Sequence, residues 1–112
     1  MTDPTADWHA RARSLHIESR AFIDGRHVAA ASGETFDCVS PIDGRLLAQV
    51  ASTDAADVDL AVAAARRSFE SGTWRRQPPR ERKRVLLRFA ELVLEHAEEL
   101  ALLETLDMGK PI

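Results

Sequence analysis

The residues of this chain that can do chemistry are few, and their spacing decides how far each can be taken. The stretch "ETLDMGKPI", residues 104–112, sets Gly109 beside Lys110. In a phosphate-cradling loop such a pair brings backbone N–H groups and an ammonium to a nucleotide. That loop requires G-x-x-x-x-G-K-[ST] with its helix following. Here Pro111 follows the lysine and the helical pattern precedes the pair, so the order is reversed. The spacing predicts a helix end: Gly109 just past the last turn, Lys110 complementing the negative terminus, and Pro111 preventing continuation.

Cys38 is the one thiol, a potential nucleophile or redox group. It lies mid-strand in "FDCVS", with no histidine near it in sequence and no helix N-terminus to lower its pKa. A small buried hydrophobe is the expected role. His9, His16, His27 and His96 show no metal-ligand spacing with one another or with Cys38. Glu91, Glu95, Glu98 and Glu99 would suit a hard cation, but Arg84 and Arg88 stand a turn or two away, which predicts a solvated charged stripe. "RRQPPRERKR" carries six basic residues and offers an anion or subunit contact, yet Glu81 and the acidic whole favour an exposed loop and helix start. No G-x-G-x-x-G fingerprint, no nucleophile with its base and no metal set is legible. Catalytic, cofactor-binding and metal-ligating residues are all expected to be absent.

Composition narrows the class. With 112 residues, 45% apolar and 29% charged, the chain has room for one small globular domain. A net charge of −3 argues against a nucleic-acid surface. No apolar run approaches the roughly 20 residues that span a bilayer, and "MTDPTADWHA" is too polar for a signal peptide. A single cysteine makes an internal disulfide impossible and favours the cytoplasm.

These side chains must be held by a short list of elements. "DWHARARSLHIESR" predicts a short helix capped by Thr5 or Asp7 and anchored by Trp8, Ala12 and Leu15. Asp24-Gly25 and Asp43-Gly44 sit between β-prone runs and predict hairpins over roughly 20–29 and 35–50, with "AASGE" looping between them and Pro41 at a strand terminus. A first main helix follows, capped by Thr53 or Asp54, with Val58, Ala61, Val62, Ala65 and Phe69 on one stripe and Gly72 past its end. Pro79 opens a second main helix, expected to run unbroken from about Arg80 to Asp107. Its core stripe is Leu86, Phe89, Ala90, Val93, Ala97 and Leu100, with Leu87, Leu92, Leu94 and Leu103 on the flanks and His96 on the rim.

That second helix carries an apolar arc of roughly half its circumference, wider than the ~100° of an ordinary surface helix. Two neighbours are needed to cover it, and two hairpins and an alanine-rich helix cover one side at best. Leaving large side chains in water forgoes roughly 1.5–3 kcal/mol each. The residues alone therefore predict one layer of a larger soluble α/β protein: two β-hairpins and two main helices, α+β when taken as a unit.

The runs "FIDGRHV", "TFDCVSPIDGRLLAQVAS", "DVDLAVAAARRSFESGTW", "RVLLRFAELV" and "EELALLETLDMGKPI" together resemble the N-terminal segment of NAD(P)-dependent aldehyde dehydrogenases over residues 20–112. "W…ARSLHIESRAFIDG" followed by "HAEELALLETLDMGKPI" is similar to the γ-glutamyl-γ-aminobutyraldehyde dehydrogenases of putrescine breakdown. The resemblance implies an N-terminal arm at 1–19 and a partial, truncated cofactor-binding domain at 20–112, packing outside a doubly wound sheet, with the first residues at subunit contacts. It implies NAD or NADP in the full-length enzyme. The nucleophilic cysteine, general-base glutamate, oxyanion-stabilising asparagine and cofactor fingerprint would lie downstream of the matched segment, so Cys38 takes no catalytic role and no cofactor is expected in this chain. Its expected partners are the rest of the dehydrogenase fold or homologous subunits. Two other readings stay open: a stand-alone module pairing with a full-length relative, and one part of a split enzyme.

Overall fold

The computed structural model describes residues 7–112. Asp24-Gly25 builds the first turn, because both residues take positive φ (53° and 74°), the twist a two-residue hairpin demands. It joins β1 (Ala21–Ile23) to β2 (Arg26–Val28) in antiparallel register, Phe22 opposite His27. A longer turn at 40–45, closed by Ser40 N–H to Arg45 O and Gly44 N–H to Ser40 O (both 2.8 Å), joins β3 (Thr35–Val39) to β4 (Leu46–Ala51). Phe36 faces Val50 and Cys38 faces Ala48, and the register shifts between Cys38 and Val39. The two hairpins form separate two-stranded sheets.

Four helices surround them among the described residues: α1 (Trp8–Ser14), α2 (Ala55–Ser71), α3 (Pro79–Glu95) and α4 (Ala97–Met108). Asp7 caps α1 by accepting the Ala10 N–H at 2.9 Å, while the alternative cap Thr5 lies outside the described residues. Trp8, Ala12 and Leu15 are half-buried, as an anchoring stripe should be, and α1 packs on α4. Asp54 caps α2 in a capping box with Asp57, and Pro79 opens α3 at the position where its missing N–H costs nothing.

Three expectations are corrected. The second main helix is two helices, divided at His96 (φ −104°, ψ 16°), whose N–H turns back to the Leu92 and Leu94 carbonyls. The break rotates the buried face, so α4 buries Leu102 and Leu106 while Leu100 stays 44% exposed. On α2 the covered positions are Asp57, Ala61 and Ala64, facing the first hairpin. Val58, Val62 and Phe69 of the expected stripe are all more than half exposed. Small alanines allow the hairpin's close approach, and the larger side chains are left pointing elsewhere.

The core is correspondingly slight: Ala30, Ala64, Leu102 and Leu106 are its buried apolar residues. α3 makes no substantial packing contact with any other element, and none of its residues is buried. The radius of gyration is 17.8 Å, against about 13 Å for a compact chain of this length. The accessible surface is 8734 Å², about 2,600 Å² above that of a compact protein of equal mass. The arc of α3 is exposed as its width foretold.

Candidate functional site

Cys38 lies in a groove of about 480 Å³ between β3–β4 and α4. Ile17, Leu47, Val50, Leu103 and Leu106 make it apolar, and Cys38 meets Asp107 within it. The strand register turns the Cys38 side chain toward α4, and the last turn of α4 brings Asp107 to it. The thiol donates to Asp107 Oδ1 at 3.5 Å. Burial, then this hydrogen bond and the negative charge of Asp107, raise the thiol above its ordinary pKa. A nucleophilic cysteine needs the opposite, a cation or a base that draws off the proton. Here the carboxylate holds the proton on sulfur. The pair latches a sheet to a helix, and its arrangement opposes thiolate chemistry.

Gly109 closes α4 in the left-handed conformation (φ 73°), its N–H reaching Thr105 O at 3.0 Å. Lys110 turns back to Glu104 at 3.1 Å. The Gly-Lys pair thus terminates a helix, and its lysine is engaged with a neighbouring carboxylate. The helix N-termini offer no cradle for a dinucleotide pyrophosphate either. On α2 the Asp54 side chain occupies the Ala56 and Asp57 N–H groups. Pro78 and Pro79 begin α3, and Glu98 and Glu99 fill the first turn of α4. Fixed carboxylates there repel phosphate. These three helix N-termini therefore lack the free N–H groups on which a pyrophosphate would rest.

The glutamates disperse. Glu91 and Glu95 pair with Arg88 at 3.2 and 2.9 Å, and Glu99 pairs with His96 at 3.1 Å. Glu98, read as fully solvated, is half-buried and meets Arg11 of α1. Among the described residues no three of His, Cys, Asp or Glu converge on a metal position. The basic run 75–84 spreads over the loop and the start of α3, where Trp74, Pro79, Arg82 and Leu86 line a shallow recess.

The sequence marks Asp57 as an acidic residue suited to the positive N-terminus of α2, but not as the most enclosed carboxylate among the described residues. Asp57, 3% exposed, accepts the Ala31 N–H at 2.9 Å and the Asp54 N–H at 3.1 Å. It ties the "AASGE" loop to the first turn of α2, positioning the first hairpin. The signal was present: "DAAD" is a capping box in which the second aspartate reaches back.

A family model for the aldehyde dehydrogenase family matches residues 27–112. An aminoacetaldehyde dehydrogenase of Pseudomonas aeruginosa is 55% identical over 106 residues, covering 95% of this chain and 21% of that protein. Among solved structures, γ-glutamyl-γ-aminobutyraldehyde dehydrogenase from Burkholderia cenocepacia superposes with a TM-score of 0.92 at 63% identity over 94% of this chain and 21% of that one. A P. syringae indole-3-acetaldehyde dehydrogenase in complex with NAD+ gives the same score at 65% identity, covering 94% and 21% of the two chains. The chain spans about a fifth of the length of the curated relatives it matches.

Proposed function

Because this chain belongs to the aldehyde dehydrogenase family, we propose that it serves as one packing layer of an enzyme that oxidises an aldehyde to its carboxylic acid with NAD or NADP. Residues 20–112 form part of the cofactor-binding domain, lying outside its sheet. Residues 1–19 are an arm that contributes to subunit contacts. The segment supplies no catalytic, cofactor-binding or metal-ligating side chain, and the reactive groups come from the rest of the fold. The aldehyde is an aminoaldehyde of the γ-glutamyl-γ-aminobutyraldehyde kind, formed in putrescine breakdown in the cytoplasm. The similarity to an aminoacetaldehyde and a γ-glutamyl-γ-aminobutyraldehyde dehydrogenase supports that choice.

One observation carries the structural part of this reading. Large apolar side chains on α2 and α3, among them Leu60, Phe69, Leu86 and Phe89, are each more than half exposed. At about 25 cal/mol per Å² of apolar surface, these faces are worth burying only against further protein. The test exchanges this segment for its counterpart in the Pseudomonas aeruginosa relative. The chimera is expected to purify folded and to form NADH or NADPH from aminoaldehydes, whereas the 112 residues alone form neither. An insoluble chimera would defeat the packing role. A folded chimera that ignores aminoaldehydes but oxidises other aldehydes would defeat the substrate assignment alone.

A further inference from the structure

The two Asp-Gly pairs of the hairpin turns sit in the same tetrapeptide, Ile-Asp-Gly-Arg, at residues 23–26 and 42–45. Such a pair carries a chemistry besides turning, because glycine puts no side chain in the way of its own nitrogen. That nitrogen bonds to the aspartate Cγ, the Cγ hydroxyl and the amide proton leave as water, and a succinimide ring results. Water then reopens the ring. Addition at Cγ restores aspartate, and addition at the α-carbonyl gives isoaspartate, whose main chain runs through Cβ and Cγ. We propose that Asp24, and not Asp43, is the isomerisation site of this chain.

Identical neighbours give the two pairs one intrinsic rate, so the fold must separate them. Exposure does not, since the Asp24 and Asp43 side chains are 54 and 52% exposed. Hydrogen bonding does. The Gly44 N–H donates to Ser40 O at 2.8 Å, and Asp43 Oδ1 accepts the Arg45 N–H at 3.1 Å. Both reacting groups at 43–44 must therefore break a bond within their own turn before they meet. The Gly25 N–H donates to no acceptor among the described residues, and the Asp24 carboxylate has one exposed partner, Arg67 at 3.3 Å. Such a pair restrains weakly. Asp24 also takes a positive φ of 53°, which costs a residue that carries a Cβ, so leaving the native turn relieves strain. The ladder around it is short as well: β1 and β2 are three residues each, against five and six for β3 and β4. A short hairpin opens more readily.

The product has a structural effect. Isoaspartate adds a carbon atom to the backbone of a turn whose two residues set the register, Phe22 opposite His27. It also moves the carboxylate onto Cα, which breaks the ion pair between this turn and α2.

Peptide mapping of the 112-residue chain after warm incubation at neutral pH tests this, with isoaspartate located by electron-transfer fragmentation. Asp24 should convert at least about fivefold faster than Asp43, the factor that one extra net hydrogen bond sets on a local opening. In concentrated urea, where neither turn persists, the two rates should converge. The isomerised chain, separated by ion exchange, should lose amide protection in β1 and β2 and keep it in β3 and β4. Conversion led by Asp43, equal rates in native buffer, a bias that survives urea, or no conversion at Asp24 would each overturn the proposal.

Discussion

Asp57 offers the sharpest test of what holds the first hairpin to the helices. Its two carboxylate oxygens each accept one backbone N–H, from Ala31 at 2.9 Å and from Asp54 at 3.1 Å. A hydrogen bond to a charged group is worth about 1.5–3 kcal/mol net. Asp57→Ala removes two and leaves a void where the carboxylate was enclosed. Water regains the freed N–H groups in part, because Ala31 and Asp54 are themselves exposed. A loss of about 3 kcal/mol is the reasonable expectation. Asp54→Ala removes only the side-chain cap of α2 and should cost about 1 kcal/mol. On a domain of this size 1 kcal/mol lowers Tm by about 4–8 °C, so the two variants separate clearly in a thermal melt followed by circular dichroism. Amide hydrogen exchange gives a local readout: the Ala31 amide should lose its protection in Asp57→Ala and keep it in Asp54→Ala. Equal costs for the two substitutions, or an unprotected Ala31 amide in the parent chain, would refute the account of Asp57 as a tie between loop and helix.

Three further outcomes are expected. Cys38 should react slowly with an alkylating reagent at neutral pH, and Asp107→Asn should speed it, since removing the carboxylate takes away a group that raises the thiol's pKa; an unchanged or slower rate would show that the contact does not govern the thiol. Glu18 is held down to about 2, first by the Arg20 guanidinium and then by the Arg20 N–H. A depressed carboxylate stabilises the fold above its unfolded value and loses that contribution as pH falls through the folded one. Its share of stability should therefore fade between about pH 4.5 and 2, and carboxyl NMR showing Glu18 titrating near 4.5 would contradict this. Finally, the 112-residue chain should brighten a dye that fluoresces on apolar surfaces, because Leu86 and Phe89 of α3 are more than half exposed. A dye-silent chain would mean that α3 is covered in a way the fold does not show.

The local parts of the fold follow from the sequence because their causes are local. Asp24-Gly25 dictates a turn through its backbone angles, Asp54 and Pro79 start helices through the N–H groups they satisfy or lack, and Gly109-Lys110-Pro111 ends one. The excess of apolar surface was legible for the same reason, since the width of a helical arc depends only on residue order. What the tertiary structure decided concerns partners distant along the chain. The break at His96 has no glycine or proline to announce it, and it alone determines that Leu102 and Leu106, rather than Leu100, turn inward. Asp57 meets Ala31 and Cys38 meets Asp107 across 26 and 69 positions. No periodicity encodes such meetings, because they arise only when separate elements come to share one small core.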